Sequence, residues 1–332
     1  ALEQPVTESL LEVSELRVDF RHDGRVVRAV DGLTYSLRRG HTVAVIGESG
    51  SGKTVSARAI MGLLPPTATV TGSIHFDDVE MVGLSEKAMR GHRGCGVAMV
   101  FQDPTRSLNP TMRIGGQIRE AIQTHEKTSR AAAQDRALEL LELVRLPAAK
   151  ERLEQYPHQL SGGMRQRVMI AIALAASPKL LIADEATTAL DVTTQAQIME
   201  LLRELQQRLG MALIMISHDL GLAASFADEV VVMYAGRAVE RAPTQMLFAH
   251  VRMPYTRALL DAIPRLESAS HAPLAAVPGQ PPNLALREPG CPFTPRCPSA
   301  TDQCREHAPA FEEHEPDHQW ACWHPCADGV AR

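Results

Sequence analysis

Residues 41–60 read HTVAVIGESGSGKTVSARAI, and the fold class turns on them. The apolar run HTVAVIG (41–47) reads as a short buried strand that ends at a glycine. GESGSGKT (47–54) then matches the pattern G-x-x-x-x-G-K-[ST] in full. KTVSARAIMGLL (53–64) reads as a helix stopped by Pro65 and Pro66, since a prolyl ring lacks the donor and clashes with the preceding turn. Strand, glycine loop and helix in that order make a phosphate cradle. Gly47, Gly50 and Gly52 let the backbone wrap a polyphosphate without Cβ clashes. The helix N-terminus adds N–H donors and partial positive charge. Lys53 is expected to reach the β- and γ-phosphates, and Thr54 to ligate Mg²⁺. Glu48, Ser49 and Ser51 complete the nucleotide-holding loop.

The partner of such a loop is an acidic strand end. LLIADE (180–185) supplies one: Asp184 is placed to hold Mg²⁺, and Glu185 to polarise an attacking water. Between the two lies LSGGMRQR (160–167), a second amide-rich helix start. One phosphate loop does not need two cradles, so this one is expected to serve a nucleotide bound by another subunit.

Strands are expected across 10–37, split by the turn HDG (22–24), and at 72–81, 97–102, 180–184, 213–217 and 230–234. A helix is expected over 129–146, with Ala137, Leu140, Leu141 and Val144 on one face. Another spans 193–210, with Ile198, Leu201, Leu202, Leu205 and Leu209 in one stripe. Short apolar strands alternating with helices indicate an α/β core with a mostly parallel sheet. The helical stretch 104–177 reads as an inserted subdomain. Residues 1–9 are polar and expected to be disordered. HAPLAAVPGQPPNLALREPG (271–290) reads as an extended proline-rich segment ahead of a cysteine-rich tail.

The chain has 332 residues, 45% hydrophobic and 22% charged, which is ordinary for a globular protein. Its net charge of −5 argues against a nucleic-acid-coating surface. No apolar run approaches a membrane span; VMIAIALAA (168–176) is the longest. The N-terminal residues show no signal-peptide pattern, so a cytosolic location with reduced thiols is expected.

The motifs together resemble the ATPase subunits of ABC transporters over about residues 10–260. Walker A is 47–54, the Q-loop glutamine Gln102, and the signature Ser161-Gly162-Gly163-Met164-Arg165-Gln166. Walker B is 180–185, the D-loop ends at Asp191, and the switch histidine is His218. Phe20 is the candidate adenine-stacking aromatic. The resemblance implies a RecA-like P-loop core with an N-terminal antiparallel β region and a helical subdomain at about 104–177. It implies a head-to-tail dimer in which Ser161 and Gly163 of one subunit bind the γ-phosphate held by the other. Glu185 would be the general base, His218 a γ-phosphate contact, and Gln102 a sensor of Mg²⁺. Ala186 stands where the family usually has proline, which implies altered loop stiffness rather than lost chemistry.

Residues 103–122 lie where the family receives a permease coupling helix. FQDPTRSLNPTMRIGGQI, YPHQLSGGMRQRVMIAIALA and LIADEATTALDVTTQAQI resemble the oligopeptide/dipeptide (and nickel) importer branch, as does VPGQPPNL followed by GCPFTPRCP. The implied assembly has two transmembrane permease subunits, a second and often non-identical ABC ATPase, and indirectly an extracytoplasmic solute-binding protein. It has no nucleic acid, and the chain lies at the cytoplasmic face of the inner membrane. Nickel or another small solute is the alternative cargo, and a soluble non-transport ABC ATPase the alternative class. The implied boundaries are an ATPase domain at 10–264 and a linker with tail at 265–332.

The tail carries Cys291, Cys297, Cys304 and Cys322, with Cys326 close by. Four thiolates fit tetrahedral zinc or an iron–sulfur cluster, and gaps of five and six residues suit the larger cofactor. The resemblance implies a [4Fe–4S] cluster on those four, in a structural role, with Cys326 able to replace Cys322. His307, His314, His318 and His324 keep a mixed Cys/His zinc site open. Cys95 is expected to be a buried small hydrophobe.

Overall fold

The computed structural model describes residues 9–22, 24–187, 190–263, 277–286 and 289–327. Of the residues 1–9 expected to be disordered, 1–8 lie outside the described residues and Ser9 instead opens the first strand; part of the proline-rich segment and the first half of the D-loop also lie outside them. In chain order the strands are β1 (Ser9–His22), β2 (Arg25–Arg38), β3 (Thr42–Ile46), β4 (Ala68–Phe76), β5 (Val79–Glu80), β6 (Val97–Val100), β7 (Leu180–Asp184), β8 (Ala212–Ser217), β9 (Glu229–Tyr234), β10 (Arg237–Pro243), β11 (Glu312–Glu315) and β12 (His318–Trp320). The chain divides into two compact units. One holds Arg38–His41 and Leu84–Ile214; the other holds Ser9–Leu37, Thr42–Gly83 and Met215–Arg332. Strand β8 falls across that division.

The unit that contains the phosphate loop has an antiparallel sheet in the order β2-β1-β4-β5. Leu11 and Val13 face the core, and so do Leu16 and Val18, so the alternation changes phase between them. A register shift between Ser14 and Arg17 accounts for this, with Glu15 at φ 49° absorbing the extra residue. The single strand expected at 72–81 is instead a hairpin. Asp77 and Asp78, at φ 50° and 64°, form a tight turn of the kind that matches strand twist.

The same unit contains the strand run β11-β12-β10-β9-β3. Strand β3 is parallel to β9, with Ala44 opposite Val230 and Ile46 opposite Val232. Every residue of β3 is buried, which explains its unbroken apolar sequence. Strands β10 and β12 are antiparallel to their neighbours. The tail is therefore more than a linker and a cysteine cluster: residues 312–320 form a hairpin that extends this sheet.

In the other unit, β6 and β7 are parallel neighbours, with Val97 opposite Leu180. The helix Gly162–Ala173 packs on β6, and the helices Ile114–His125, Arg130–Leu143 and Val192–Leu209 pack against that helix. Ala133, Ala137, Leu140 and Leu141 form the buried face of Arg130–Leu143, and the Ser129 hydroxyl caps its start by accepting from the Ala132 N–H. In Val192–Leu209 the stripe Ile198, Leu201, Leu202 and Leu205 is buried as expected. Leu209 is not; it is 44% exposed in the last turn, just before the left-handed Gly210.

Two further expectations are corrected. The helix after the phosphate loop ends at Ile60, short of Leu64, because Met61, Gly62 and Leu63 already fold back to bond Ala57, Ala59 and Arg58 carbonyls. Cys95 is exposed, its thiol donating to the Gly91 carbonyl at 3.0 Å.

Candidate functional site

The loop 47–54 sits between β3 and the helix Lys53–Ile60. Its glycines are dictated by close approach. A Cβ on Gly47 would lie 2.2 Å from the Met233 carbonyl oxygen. Gly52, at φ 102°, occupies left-handed space, and a Cβ there would lie 2.4 Å from the Ala29 carbonyl oxygen. Lys53 is 4% exposed, and its Nζ donates to the carbonyls of Gly47 at 2.7 Å and Glu48 at 2.8 Å. The loop is thus curled around its own ammonium group. Thr54 stands half-buried in the first turn of the helix.

Glu48 is held on both its backbone and its side chain. Its N–H donates to the Tyr255 hydroxyl at 2.9 Å. Burial pushes the Tyr255 hydroxyl well above the ordinary phenol range, so it stays neutral and able to accept. The Glu48 carboxylate receives the Arg296 guanidinium in a two-pronged pair, at 2.6 and 2.9 Å. Tyr234, Tyr255 and Phe293 pack as a three-ring cluster with centroids 4.5–5.3 Å apart. Neither Arg296 nor Tyr255 stood out in the sequence. The signal that could have found Arg296 is an arginine inside CPFTPRCP without an acidic neighbour to pair with.

Phe20 pairs with Ala68 across β1 and β4 and is half-buried. His218 is exposed, directly after β8, while Asp219 caps the next helix by accepting from the Gly221 N–H.

In the other unit the structure brings Gln102 and Glu185 together. Gln102 Nε2 donates to Glu185 Oε2 at 2.6 Å. Asp184 ends the wholly buried β7 and is 1% exposed. Glu185 follows at φ 46°, a left-handed conformation that costs a non-glycine residue about 1–2 kcal/mol. Ala186, in the position of the family's proline, is buried.

The signature residues also meet the D-loop within this unit. Ser161 caps the helix Gly162–Ala173 by accepting from the Met164 N–H. A Cβ on Gly163 would come within 2.8 Å of Thr194 Cγ2, and one on Gly162 within 3.5 Å of Leu190 Cδ2. Asp191 caps the helix Val192–Leu209, accepting from the N–H and hydroxyl of Thr194. Those hydrogen bonds hold its carboxyl below the usual range.

Cys291, Cys297, Cys304 and Cys322 line one pocket, and His324 joins them. The Cys291 N–H donates to the Cys304 carbonyl at 2.8 Å, closing the loop between them. Burial raises the thiols of Cys291 and Cys297, and pushes Cys322 up to about 12. No three His, Cys, Asp or Glu groups among the described residues are arranged to hold one metal ion. His318 lies elsewhere, fully buried against Glu240 at 3.0 Å, and His314 stacks on Trp320. Cys326 does not line the cysteine pocket; its N–H donates to the Arg252 carbonyl.

Residues 30–188 match the ABC transporter family, and residues 239–304 match the oligopeptide/dipeptide transporter C-terminal region. The oligopeptide transport ATP-binding protein OppD of Salmonella typhimurium is 48% identical over 95% of this chain and 94% of its own length. The chain belongs to the ATP-binding subunits of oligopeptide/dipeptide ABC transporters. The dipeptide transport ATP-binding protein DppD of Bacillus subtilis is 47% identical over 95% of each chain. This ABC subunit spans about half the length of the Mycobacterium tuberculosis OppD, which it matches at 49% identity. Among solved structures it is similar to a dimeric ATP-binding cassette in a post-hydrolysis state with ADP and phosphate. That likeness has a TM-score of 0.63 and 27% identity, covering 70% of this chain and 98% of the other. The family implies ATP and Mg²⁺ at the site. No helix among the described residues is long and apolar enough to cross a membrane.

Proposed function

We propose that this chain hydrolyses ATP to power import of oligopeptides or dipeptides through a separate membrane permease. The observation that carries the reading is one chain with both an ABC cassette and the oligopeptide/dipeptide C-terminal region. The ATPase portion would be residues 10–264 and the tail 265–332. The working assembly would pair two permease subunits with this subunit and a second, related ATPase on the cytoplasmic membrane face.

In the reaction, a water attacks the γ-phosphorus, the bond to the β-phosphate bridging oxygen breaks, and ADP leaves. Residues 47–52 hold the phosphates through backbone N–H groups, and Lys53 moves from loop carbonyls onto phosphate oxygens. Thr54, Asp184 and Gln102 would hold Mg²⁺, which neutralises phosphate charge. Glu185 accepts the proton of the attacking water, and its bond from Gln102 orients the carboxylate for that task. Ser161, Gly162 and Gly163 would bind the γ-phosphate held by the partner ATPase, Asp191 would border that interface, His218 would contact the γ-phosphate, and Phe20 would stack on the adenine. The deciding experiment is peptide uptake by vesicles that hold the assembled transporter. ATP-dependent uptake that Glu185→Gln abolishes is expected; ATP hydrolysis without any need for a permease would overturn the transport reading.

We also propose that Cys291, Cys297, Cys304 and Cys322 hold a [4Fe–4S] cluster. Four thiols that line one pocket support this reading. The pocket penalises bare thiolates, so cationic iron would supply the missing compensation. Iron and acid-labile sulfide analysis of anaerobically purified protein tests this; about four of each per chain is expected, and one zinc without sulfide would overturn it.

A further inference from the structure

The tail reaches the phosphate loop through one side chain. Arg296 lies between Cys291 and Cys304, in the short turn Thr294–Arg296. Its side chain is 3% exposed. One face of the guanidinium group meets Glu48, the second residue of the phosphate loop. Its remaining donors go to the Pro278 carbonyl at 2.7 Å, the Val277 carbonyl at 3.2 Å and the Tyr234 hydroxyl at 3.3 Å. The aromatic rings of Tyr234 and Phe293 flank it at 5.8 and 5.9 Å. Pro281, Pro282 and Leu284 of the proline-rich segment line one pocket with residues 48–51 of the loop. One arginine therefore joins the cysteine turn, the proline segment and the phosphate loop.

We propose that Arg296 is a positioning residue of the nucleotide site, setting the affinity for MgATP by neutralising and fixing Glu48. The inference rests on ATP binding at residues 47–54.

The argument is electrostatic and geometric. A carboxylate inside a loop built to receive a polyphosphate repels its ligand unless a cation compensates it. Lys53 cannot be that cation, because its ammonium is directed to backbone carbonyls and is needed for phosphate. Arg296 compensates from the outer side of the loop, and the pairing in turn raises its own pKa. Fixing Glu48 also fixes its carbonyl, one of the two that hold Lys53 before nucleotide arrives. The tail has other attachments of its own, including the pairing of β12 on β10 and the Cys326 N–H bond to the Arg252 carbonyl. The Arg296–Glu48 pair is therefore not the tail's sole anchor.

The test is a titration of the full chain with a fluorescent ATP analogue and Mg²⁺, with iron content and melting temperature measured on the same samples. Arg296→Ala should weaken binding by about tenfold or more, because it leaves a half-buried carboxylate unpaired. Adding Glu48→Gln to that variant should return the affinity to within about threefold of wild type. Arg296→Lys keeps the charge but loses the two-pronged geometry, and should fall between the two. Wild-type affinity in Arg296→Ala would overturn the proposal. So would a defect that Glu48→Gln does not relieve, since the arginine would then serve only to fold the tail. If Arg296→Ala does not fold, Arg296→Lys with and without Glu48→Gln decides by the same criterion. Wild type and Lys53→Ala run alongside. Failure of wild type itself to bind MgATP would sink the nucleotide reading, whereas tight wild-type binding with an indifferent Arg296 would sink only the link to the tail.

Discussion

In the phosphate loop, eight consecutive residues carry their own chemistry: the glycines that permit the curl, the lysine it closes around and the threonine that follows. In the tail, the chemistry is spread over Cys291 to Cys322, and its contact with the phosphate loop is made to a residue almost 250 positions earlier. Both regions belong to the same compact unit. The loop is a local device whose spacing can be recognised at sight. The tail is a tertiary device, and its partners exist only once β9, β10 and the aromatic cluster of Tyr234, Tyr255 and Phe293 have formed. A region of the first kind should respond to mutation in its rate constant, and one of the second kind in affinity and stability.

The largest expected effect lies outside both regions, at Glu185 in the other unit, and sets the scale for a pure rate defect. Glu185→Gln should lower ATP turnover by roughly a thousandfold while leaving MgATP binding intact, as expected for removal of a general base. Single-turnover hydrolysis beside the binding titration checks both halves. Near-normal turnover would take Glu185 out of that role.

The next effect lies in the tail thiols. Only the thiolate reacts with an alkylating reagent, and burial pushes Cys322 up to about 12. In metal-free protein at pH 8, Cys322 should react at least about a hundredfold more slowly than the exposed Cys95. Its rate should climb close to tenfold per pH unit as the thiolate fraction grows. Mass-spectrometric labelling time courses measure this, and equal rates at pH 8 would show that the cysteine pocket opens readily to solvent.

Stability gives a third contrast. Phe293 is 1% exposed among the tyrosines behind the loop, so Phe293→Ala should cost about 3–5 kcal/mol. The melting temperature should fall by several degrees, and MgATP affinity should fall with it. Ser129→Ala, a helix cap in the other unit, should cost only about 0.5–1 kcal/mol and leave MgATP affinity unchanged. An affinity loss from Ser129→Ala would blur the distinction between local support of the nucleotide loop and general stability.

The same contrast explains what could be read from the sequence. Strands β3, β7 and β9 are fully or almost fully buried, so their apolar runs announced them. The phosphate loop and the acidic strand end were legible from spacing, Gln102 came from the resemblance, and Gln102 and Glu185 are hydrogen-bonded in the structure. The hairpin at Asp77-Asp78 was missed because two aspartates in left-handed conformations can look like an uninterrupted polar strand segment. Strands β11 and β12 were missed because EEHE and HQW show no alternation; what holds them is the pairing of β12 with β10 and of β11 with β12. The fully buried Glu240–His318 pair and the Arg296–Glu48 pair join residues 78 and 248 positions apart, a separation at which spacing carries no information.

Strand β11 ends its sheet, and its EEHE side chains are mostly exposed. An open sheet edge is a template for adding strands from another molecule. Here the outermost position is taken by three glutamates in four residues, whose mutual repulsion across two copies discourages edge-to-edge growth. A chain cut before residue 312 would instead present β10 as the edge, with Val239 and Ala242 buried in it. The hairpin thus acts as a guard against self-association, and its removal would be expressed as precipitation well before it was expressed as any change in catalysis.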